Sequence, residues 1–280
     1  MPRIGIFYAP SNSRSKLVAQ AMAKGLQRLS IPFVFCSSHS VRPTDQYDQM
    51  FFYGWAQGLR QIFDRQIRRK KAFYIDLGYW GRRKRTRWDG YHKIVMNDRH
   101  PTAYFQNRQH DPARFEQFGL EIAPWRKSGT HILLAGMSAK AAAAEGFRPN
   151  EWERRTIAQL RQTTDRPIVY RPKPNWRDAR PLEGSTFGQD QTLEEALRDC
   201  HAVVAHHSNV AVDALMAGVP CVCLEGVASV LSARKLAQIE SPPTPEGRAQ
   251  WAADLAWTQY SMEEMEQGLA YRYLQDEGLA

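Results

Sequence analysis

The sequence predicts an α/β protein with two doubly wound domains. Short apolar runs rich in β-branched residues alternate with helical stretches in both halves of the chain, which is the pattern of parallel strands covered by helices. The 280 residues suffice for two domains of about 130 residues each, since domains usually contain ~100–200 residues. A hydrophobic content of 43%, with 8 Trp and 12 Phe, excludes a disordered chain and is ample for packed cores.

The first half of the chain contains predicted strands that alternate with two predicted helices. Apolar periodicity places the strands at 3–8, 33–36, 50–53, 72–76 and 91–96 and the helices at 13–29 and 56–70. Turn-forming and aromatic residues dominate the stretch that follows, so the domain junction is expected at 123–130. The sequence therefore predicts domains over 1–127 and 128–245, followed by C-terminal helices over 246–280.

The second half repeats the alternation of strands and helices. Strands are predicted at 131–135, within 167–171, and at 202–205 and 221–224, with helices at 193–198 and from 208 to 217. The alanine-rich stretch 139–145 is expected to form either a short helix or a loop. A proline-rich connector at 241–245 precedes helices predicted over 251–261 and 262–274.

The segment 203–226 is the most informative part of the chain. It has the pattern of a strand, a polar corner, a helix and a second strand. Ser208 or Asn209 is expected to cap the helix, and Gly218 followed by Pro220 is expected to end it. Unpaired N–H groups at the start of such a helix favour a phosphate. The alternative is an ordinary strand–helix–strand unit without a ligand.

A basic loop follows the strand near residue 170. Pro172 lies between Arg171 and Lys173, and Pro174 follows Lys173. These prolines restrict the backbone and reduce the entropy lost when the two cations bind an anion. The carboxyl ends of parallel strands meet at the ligand-binding edge of a sheet. We therefore expect these cations and the polar corner to converge on a diphosphate.

These motifs resemble the nucleotide-binding half of GT-B glycosyltransferases, and most closely the capsule-polysaccharide type. The similarity covers roughly 165–230 and rests on the basic-Pro-x-Pro loop, the short helix, the Ser-Asn corner and the Ala-Gly-Val-Pro stretch. Lys173 stands where that family usually has His, and the corner reads His-His-Ser-Asn instead of Asn-Ser-Thr. The resemblance implies two Rossmann-like domains facing a cleft, with a C-terminal helix that returns to the first domain.

The resemblance also implies a nucleotide-sugar donor, such as a UDP-sugar, as co-substrate and no other cofactor. Residues expected to bind the donor are Arg171, Lys173, His206, His207, Ser208, Asn209 and Glu225. In GT-B proteins an acidic residue downstream of the corner helix commonly binds the nucleotide ribose, which is the role implied for Glu225. A solvated loop glutamate is the alternative.

Three residues are candidates for the base that removes the acceptor's proton. Asp76 lies in an Asp-Leu-Gly-Tyr stretch that resembles an acidic-x-Gly-aromatic element of the capsule-type enzymes, and a carboxylate at a strand end is suited to the task. Asp98 and His100 form a competing pair in a polar turn after a strand. Each also has a structural interpretation, because such residues often hydrogen-bond within their own turn.

The sequence predicts that no metal is bound. Adjacent residues at a strand end point to opposite faces, so His206 and His207 are not expected to share a metal; one would reach the donor phosphate and the other would pack. No Asp-x-Asp stretch is present. The four cysteines lack a Cys-x-x-Cys pair and are expected to be buried thiols.

Positive charge is concentrated in one part of the chain. The net charge is +9 and the pI about 9.5, and residues 60–110 contain fourteen Lys or Arg against four Asp. Such a surplus attracts a polyanion. The residues expected to bind nucleic acid are Arg82, Arg83, Lys84, Arg85, Arg87 and Trp88. The alternative is a solvated basic loop.

The acceptor is expected to be DNA, in the form of a hydroxymethylated pyrimidine flipped from the duplex. The ending of the chain over 251–272 and the stretches 76–81 and 97–101 are similar to segments of bacteriophage-encoded proteins of this size. A location in the cytoplasm, or in the cytoplasm of an infected host if the protein is phage-encoded, is expected because signal-peptide and membrane-spanning patterns are lacking. The alternatives are a transferase for a surface or capsule glycan, a sugar-nucleotide epimerase, and a non-catalytic DNA-binding protein.

Overall fold

The chain forms two compact units. A computed structural model describes residues 2–42, 44–56, 58–82, 90–102, 108–174 and 176–280. The first unit contains the described residues of Met1–Pro101, Arg108–Phe118 and Ala253–Ala280, and the second contains those of Gly119–Ala252. The C-terminal segment therefore returns to the first unit, as the resemblance implies.

The described secondary structure alternates strands with helices along most of the chain. The strands are β1 (Ile4–Tyr8), β2 (Phe33–Ser37), β3 (Gln49–Tyr53), β4 (Lys71–Leu77), β5 (Tyr91–Met96), β6 (His131–Ala135), β7 (Ile168–Arg171), β8 (Thr186–Phe187), β9 (Cys200–Ala205), β10 (Cys221–Cys223) and β11 (Gln259–Ser261). The helices are α1 (Ser13–Arg28), α2 (Leu59–Gln66), α3 (Ala113–Glu116), α4 (Ala139–Ala144), α5 (Glu151–Leu160), α6 (Leu193–Leu197), α7 (Val210–Met216), α8 (Arg248–Ala256), α9 (Met262–Glu266) and α10 (Leu269–Asp276).

The first unit is built on a mixed sheet whose described strands lie in the order β11-β5-β4-β3-β1-β2. Strands β1 to β4 are parallel, whereas β5 runs antiparallel to β4 and β11 antiparallel to β5. Phe51 and Phe73 stack in the interior of this sheet with ring centroids 4.3 Å apart. The doubly wound pattern therefore holds for the first four strands and changes direction at β5.

The C-terminal segment differs from the helices predicted for it. Gln259–Ser261 forms strand β11 instead of continuing a helix, because it pairs with the exposed edge of β5. Ser261 then caps α9 through reciprocal hydrogen bonds with Glu264. Gly268 adopts a φ of 80° between α9 and α10, so the helix predicted over 262–274 is interrupted there.

The second unit contains a parallel sheet whose described strands lie in the order β10-β9-β6-β7-β8. Its core packs the sheet against α5, a helix that the sequence analysis did not predict. The alanine-rich stretch forms the short helix α4 instead of a loop. Gly136, after β6, leaves room for the buried Tyr170 ring, which would lie 2.6 Å from a β-carbon at that position.

Among the residues that the structure describes, none of the helices combines the length and hydrophobicity needed to cross a bilayer.

Candidate functional site

The carboxyl ends of three central strands of the second unit lie level with one another. Ala135 at the end of β6 pairs with Arg171 of β7 on one side and with Ala205 of β9 on the other. Because neighbouring strands are about 4.8 Å apart, the backbones of Arg171 and Ala205 are separated by roughly 10 Å. The basic loop and the polar corner therefore follow strands that end at the same edge, as the sequence predicts.

Arg171 is the partly buried cation of the basic loop. Its Nε donates a hydrogen bond to the carbonyl oxygen of Gln191 at 3.3 Å. Partial burial lowers the pKa of Arg171, and the carboxylate of Asp213 on α7 opposes that shift. The side chain of Lys173 is exposed, whereas Pro172 between the two cations is buried. The loop thus presents one half-buried and one exposed positive charge at the strand ends.

Ser208 provides the hydroxyl at the start of the corner helix. Its Oγ accepts a hydrogen bond from the Val210 N–H at 3.3 Å, while Asn209 already has a helical backbone with φ of −62°. Gly218 ends the helix with φ of 71°, and a β-carbon there would lie 2.0 Å from the carbonyl oxygen of Pro124. Glycine is therefore required at the predicted helix stop for two separate reasons.

Two histidines and two glutamates meet at the end of β9. Ligand atoms of Glu145, His206 and Glu225 all lie within 4.8 Å of one another. The two histidine Nδ1 atoms, of His206 and His207, are 3.0 Å apart, and Nδ1 of His207 is 3.9 Å from Oε1 of Glu145. The prediction that the adjacent histidines point apart is wrong, because β9 ends at Ala205 and the alternation of a strand no longer applies.

His206 is held firmly within this group. Its side chain is 7% exposed, and the rings of Phe147 and Trp152 meet its imidazole edge to face at 5.9 and 5.7 Å. Its carbonyl oxygen accepts a hydrogen bond of 2.7 Å from the Glu225 N–H, which ties the residue after β10 to the corner. This backbone hydrogen bond holds Glu225 beside the corner.

A buried glutamate supports the loop that follows the central strand. Oε1 of Glu153 on α5 accepts a hydrogen bond of 2.6 Å from the Met137 N–H, and burial raises the pKa of this carboxyl group. Sequence reasoning missed Glu153, because α5 was not predicted and its buried face was unknown. The residue holds the backbone at the centre of the ligand edge in a defined position.

In the first unit, Asp76 lies near the carboxyl end of β4 and is half-buried. Its Oδ2 accepts a hydrogen bond from the Tyr74 hydroxyl at 2.8 Å, and its Oδ1 accepts one from the Leu77 N–H at 2.8 Å. The carboxylate is thus oriented by two donors on its own strand. Both the catalytic and the structural interpretation of Asp76 are compatible with this arrangement.

Lys93 is a polar group of this region that sequence reasoning did not select. It lies opposite Asp76 in the β4–β5 ladder and is 5% exposed. Its Nζ donates to the Arg99 carbonyl oxygen at 2.7 Å and lies 3.4 Å from Nδ1 of His100. Burial lowers the pKa of Lys93 to about 8, although Asp76 favours its charged form. A lysine within the apolar run of β5 was the signal available in the sequence.

Asp98 and His100 occupy the loop after β5. Oδ1 of Asp98 accepts hydrogen bonds from the N–H groups of Arg99 and His100, so its carboxylate closes its own turn. The imidazole of His100 contacts the Lys93 ammonium group. The structure therefore places the His100 side chain beside Lys93, whereas the Asp98 carboxylate accepts hydrogen bonds within its own turn.

The basic segment is described only at its margin. The Arg82 guanidinium donates to the carbonyl oxygens of Gly78 and Tyr79, each at 2.7 Å, and closes the turn that precedes the segment. The other predicted nucleic-acid-binding residues, Arg83, Lys84, Arg85, Arg87 and Trp88, lie outside the described residues. Arg82 thus has a structural role within its own loop.

A groove of about 540 Å³ lies in the first unit at the amino ends of β1, β3 and β4. Its lining residues are Arg3, Asp45, Gln46, Tyr47, Asp48, Gln66, Arg69 and Lys70. Ligands of open α/β sheets bind at the opposite, carboxyl edge. The groove is therefore not the candidate site.

Solved structures show what the fold is similar to. No protein-family model and no curated protein sequence matches the chain. The β-Kdo 2,7 transferase structure of KpsC from Thermosulfurimonas dismutans matches with a TM-score of 0.57 and 13% identity, over 96% of this chain and 99% of that chain. The β-Kdo 2,4 transferase structure of KpsC from the same organism matches with a TM-score of 0.53 and 9% identity, over 90% and 89% of the two chains. At these identities the likeness shows the fold, which is GT-B-like and confirms the predicted fold class.

Proposed function

We propose that the protein is a glycosyltransferase that uses a nucleotide-sugar donor. The observation that carries the proposal is the convergence of Arg171 and the 206–209 corner at one edge of a parallel sheet, at level positions in the register. The GT-B-like fold supports it, since the structures of similar fold are Kdo transferases. An epimerase is less well supported, because both of these structures of similar fold are transferases.

The proposed donor site stabilises the departing nucleotide. As the acceptor oxygen bonds to the anomeric carbon, the bond from that carbon to the donor's phosphate oxygen breaks, and negative charge grows on the phosphate. Arg171 and Lys173 offset that charge, and the N–H groups and hydroxyl at Ser208 add hydrogen bonds. These residues need no cation of the Asp-x-Asp kind, which the sequence lacks. Glu225 is proposed to face the nucleotide's sugar hydroxyls.

The acceptor's proton passes to a base in the first unit. Asp76 is proposed for this role, because its carboxylate is oriented by the Tyr74 hydroxyl and by a backbone N–H while remaining partly exposed. Lys93 is proposed as a positioning residue, since it lies opposite Asp76 in the ladder and its charged form is favoured by the Asp76 carboxylate.

The acceptor is proposed to be DNA that carries a hydroxymethylated pyrimidine, in a bacteriophage context. The concentration of fourteen cations against four carboxylates in residues 60–110 supports a polyanionic acceptor. A surface or capsule glycan is the second candidate, and the similarity in fold to KpsC supports it. A DNA-binding protein without activity would turn over no nucleotide sugar, which distinguishes it from both transferase candidates.

The donor site is tested by turnover of a panel of labelled nucleotide sugars. Arg171→Ala is expected to lower kcat by ~10²–10³-fold, because it removes charge stabilisation from the leaving phosphate. Arg177→Ala is the matched control, since Arg177 is an exposed arginine of the same unit. Equal activity in the two variants, or no hydrolysis or transfer by the wild-type protein with any donor, would contradict the proposal.

The acceptor is tested by offering hydroxymethylated duplex DNA, unmodified DNA and capsule oligosaccharides to the wild-type protein. A DNA acceptor predicts label on the modified duplex alone and an affinity that falls steeply with salt concentration. Label on the oligosaccharide, with none on DNA, would favour the glycan candidate.

A further inference from the structure

We propose that Glu145, His206 and Glu225 form a binding site for a divalent transition-metal ion of the Zn²⁺ class. This inference reverses the prediction that no metal is bound. It depends on the geometry of the second unit alone and shares Glu225 with the proposed donor site, so a bound ion and the nucleotide's sugar would compete for that carboxylate.

The distances are close to those of a metal site. Zn²⁺ bound by His nitrogen and Glu oxygen at about 2.0–2.2 Å in a tetrahedron places its ligand atoms about 3.3–3.6 Å apart. Ligand atoms of Glu145, His206 and Glu225 lie within 4.8 Å of one another. Binding an ion would bring them closer by up to about 1.5 Å, with a water molecule as the fourth ligand.

The three residues are held together by backbone features that do not depend on their side chains. Glu145 directly follows α4, whose end is closed by Gly146 with φ of 79°. The Glu225 N–H donates to the His206 carbonyl oxygen at 2.7 Å. Together with the aromatic contacts of His206, these features place side chains from the ends of α4, β9 and β10 around one point before any ion binds.

The charges and atom types favour a cation of this class. Two carboxylate ligands and one neutral imidazole ligand carry a charge of −2, which a divalent ion neutralises. A mixture of nitrogen and oxygen ligands suits Zn²⁺, whereas Mg²⁺ and Ca²⁺ favour oxygen ligands alone.

A hydrogen bond between the two imidazoles is the competing explanation. One Nδ1 can donate to the other at 3.0 Å, which requires one particular tautomer of each ring. Titration with Zn²⁺ distinguishes the two explanations, because a hydrogen-bonded histidine pair alone binds no ion.

The site is tested by titrating metal-free protein with Zn²⁺ and with Co²⁺. Calorimetry should show one equivalent bound, and thermal unfolding should shift to higher temperature as Zn²⁺ is added, because the ion binds only the folded arrangement. Co²⁺ should give visible absorption of a low-symmetry nitrogen and oxygen site. A thiolate charge-transfer band would instead place the ion on a cysteine, and the titration is repeated in Cys36→Ser because Cys36 is the partly exposed thiol.

Variants make the test specific. Glu225→Gln and His206→Gln are expected to weaken Zn²⁺ binding at least tenfold and to abolish the thermal shift. Glu183→Gln and His39→Gln are the matched controls, since both residues are exposed and lie away from the group. Glu225 is exposed, so Glu225→Gln should retain the metal-free melting temperature of the wild type and report binding even if His206→Gln does not fold. Binding that is absent in the wild type, or unchanged in Glu225→Gln, would overturn the proposal.

Discussion

Asp76 and Lys93 lie directly opposite each other on the antiparallel strands β4 and β5. The lysine is buried, its Nζ donates to the Arg99 carbonyl oxygen, and it lies over the rings of Tyr74 and Tyr79 at 5.7 and 5.4 Å. The Asp76 carboxylate favours the charged form of this lysine across the ladder. The pair therefore links the candidate base to a group that titrates near neutral pH.

Lys93 is expected to contribute stability to the first unit that rises between pH 8 and about pH 10.4. Burial lowers the pKa of Lys93 to about 8, whereas an unfolded lysine has a pKa of about 10.4. Over this window the unfolded lysine binds more protons than the folded one, so its contribution to the free energy of unfolding increases with pH, by up to about 3 kcal/mol. Thiols and phenols such as those of Cys36 and Tyr79, whose pKa values burial raises, act in the opposite direction. Chemical denaturation should therefore show that wild type and the exposed control Lys140→Met gain stability relative to Lys93→Met as the pH rises.

Acid should destabilise the protein through His92. Burial lowers the pKa of His92 to about 4, below the usual value of about 6.5 for an unfolded histidine. Between these values only the unfolded chain binds the proton, so the free energy of unfolding falls as the pH drops, by up to about 3 kcal/mol. His92→Gln should flatten this dependence between pH 7 and pH 4.5, whereas a variant of the exposed His39 should retain it. Identical curves for the two variants would contradict the prediction.

Asp76→Asn should lower kcat of sugar transfer by ~10²–10⁴-fold, because an amide cannot accept the acceptor's proton. The KM for the donor should change little, since Asp76 belongs to the unit that does not contain the proposed donor residues. Asp98→Asn should stay within a few-fold of wild type, because that carboxylate accepts hydrogen bonds from its own turn. Steady-state kinetics on both variants distinguish a base from a structural carboxylate, and a larger loss in Asp98→Asn would reverse their assignment.

Arg82→Ala should lower the free energy of unfolding, with a smaller effect on the free energy of DNA binding. Its guanidinium satisfies the carbonyl oxygens of Gly78 and Tyr79, and leaving partly buried acceptors without that donor costs about 1–3 kcal/mol. Urea denaturation reports the loss of stability, and the slope of DNA affinity against salt concentration reports contacts with phosphates. A lower slope with unchanged stability would show that Arg82 contacts nucleic acid instead.

Gly25→Ala should destabilise the first unit by about 2 kcal/mol or more. A β-carbon on Gly25 would lie 2.1 Å from the Met265 carbonyl oxygen, so α1 and α9 would have to separate. Gln27→Ala, at an exposed position of the same helix, is the control. Thermal unfolding of the two variants measures the difference, and equal melting temperatures would mean that α9 does not pack on α1 as described.

The features that the sequence predicts well are those encoded by local pattern. The apolar runs of β6, β7 and β9 and the glycine stop at Gly218 needed only neighbouring residues to be recognised, because buried parallel strands and αL helix ends have local signatures. Strand β11 was missed since Gln259–Ser261 is a strand only by virtue of its pairing with β5. A three-residue strand has too little local pattern to compete with a helix on either side.

The residues of the candidate site likewise divide into those that a local pattern identifies and those that depend on the tertiary structure. Arg171 and Ser208 could be found because the first ends a recognisable strand and the second comes three residues after one. Lys93 and Glu145 could not, since the first depends on an antiparallel pairing and the second on where α4 ends. The orientation of His206 and His207 was predicted wrongly because strand alternation was applied one residue beyond the strand.

The C-terminal return has a consequence for how the protein folds as it is made. Residues 253–280 supply β11, α9 and α10 to the first unit, yet they leave the ribosome after all of Gly119–Ala252. The second unit can therefore complete its core during translation, while the edge of β5 waits for its partner strand. During that interval the nascent chain presents an unpaired strand edge, which is the kind of surface that chaperones protect from aggregation.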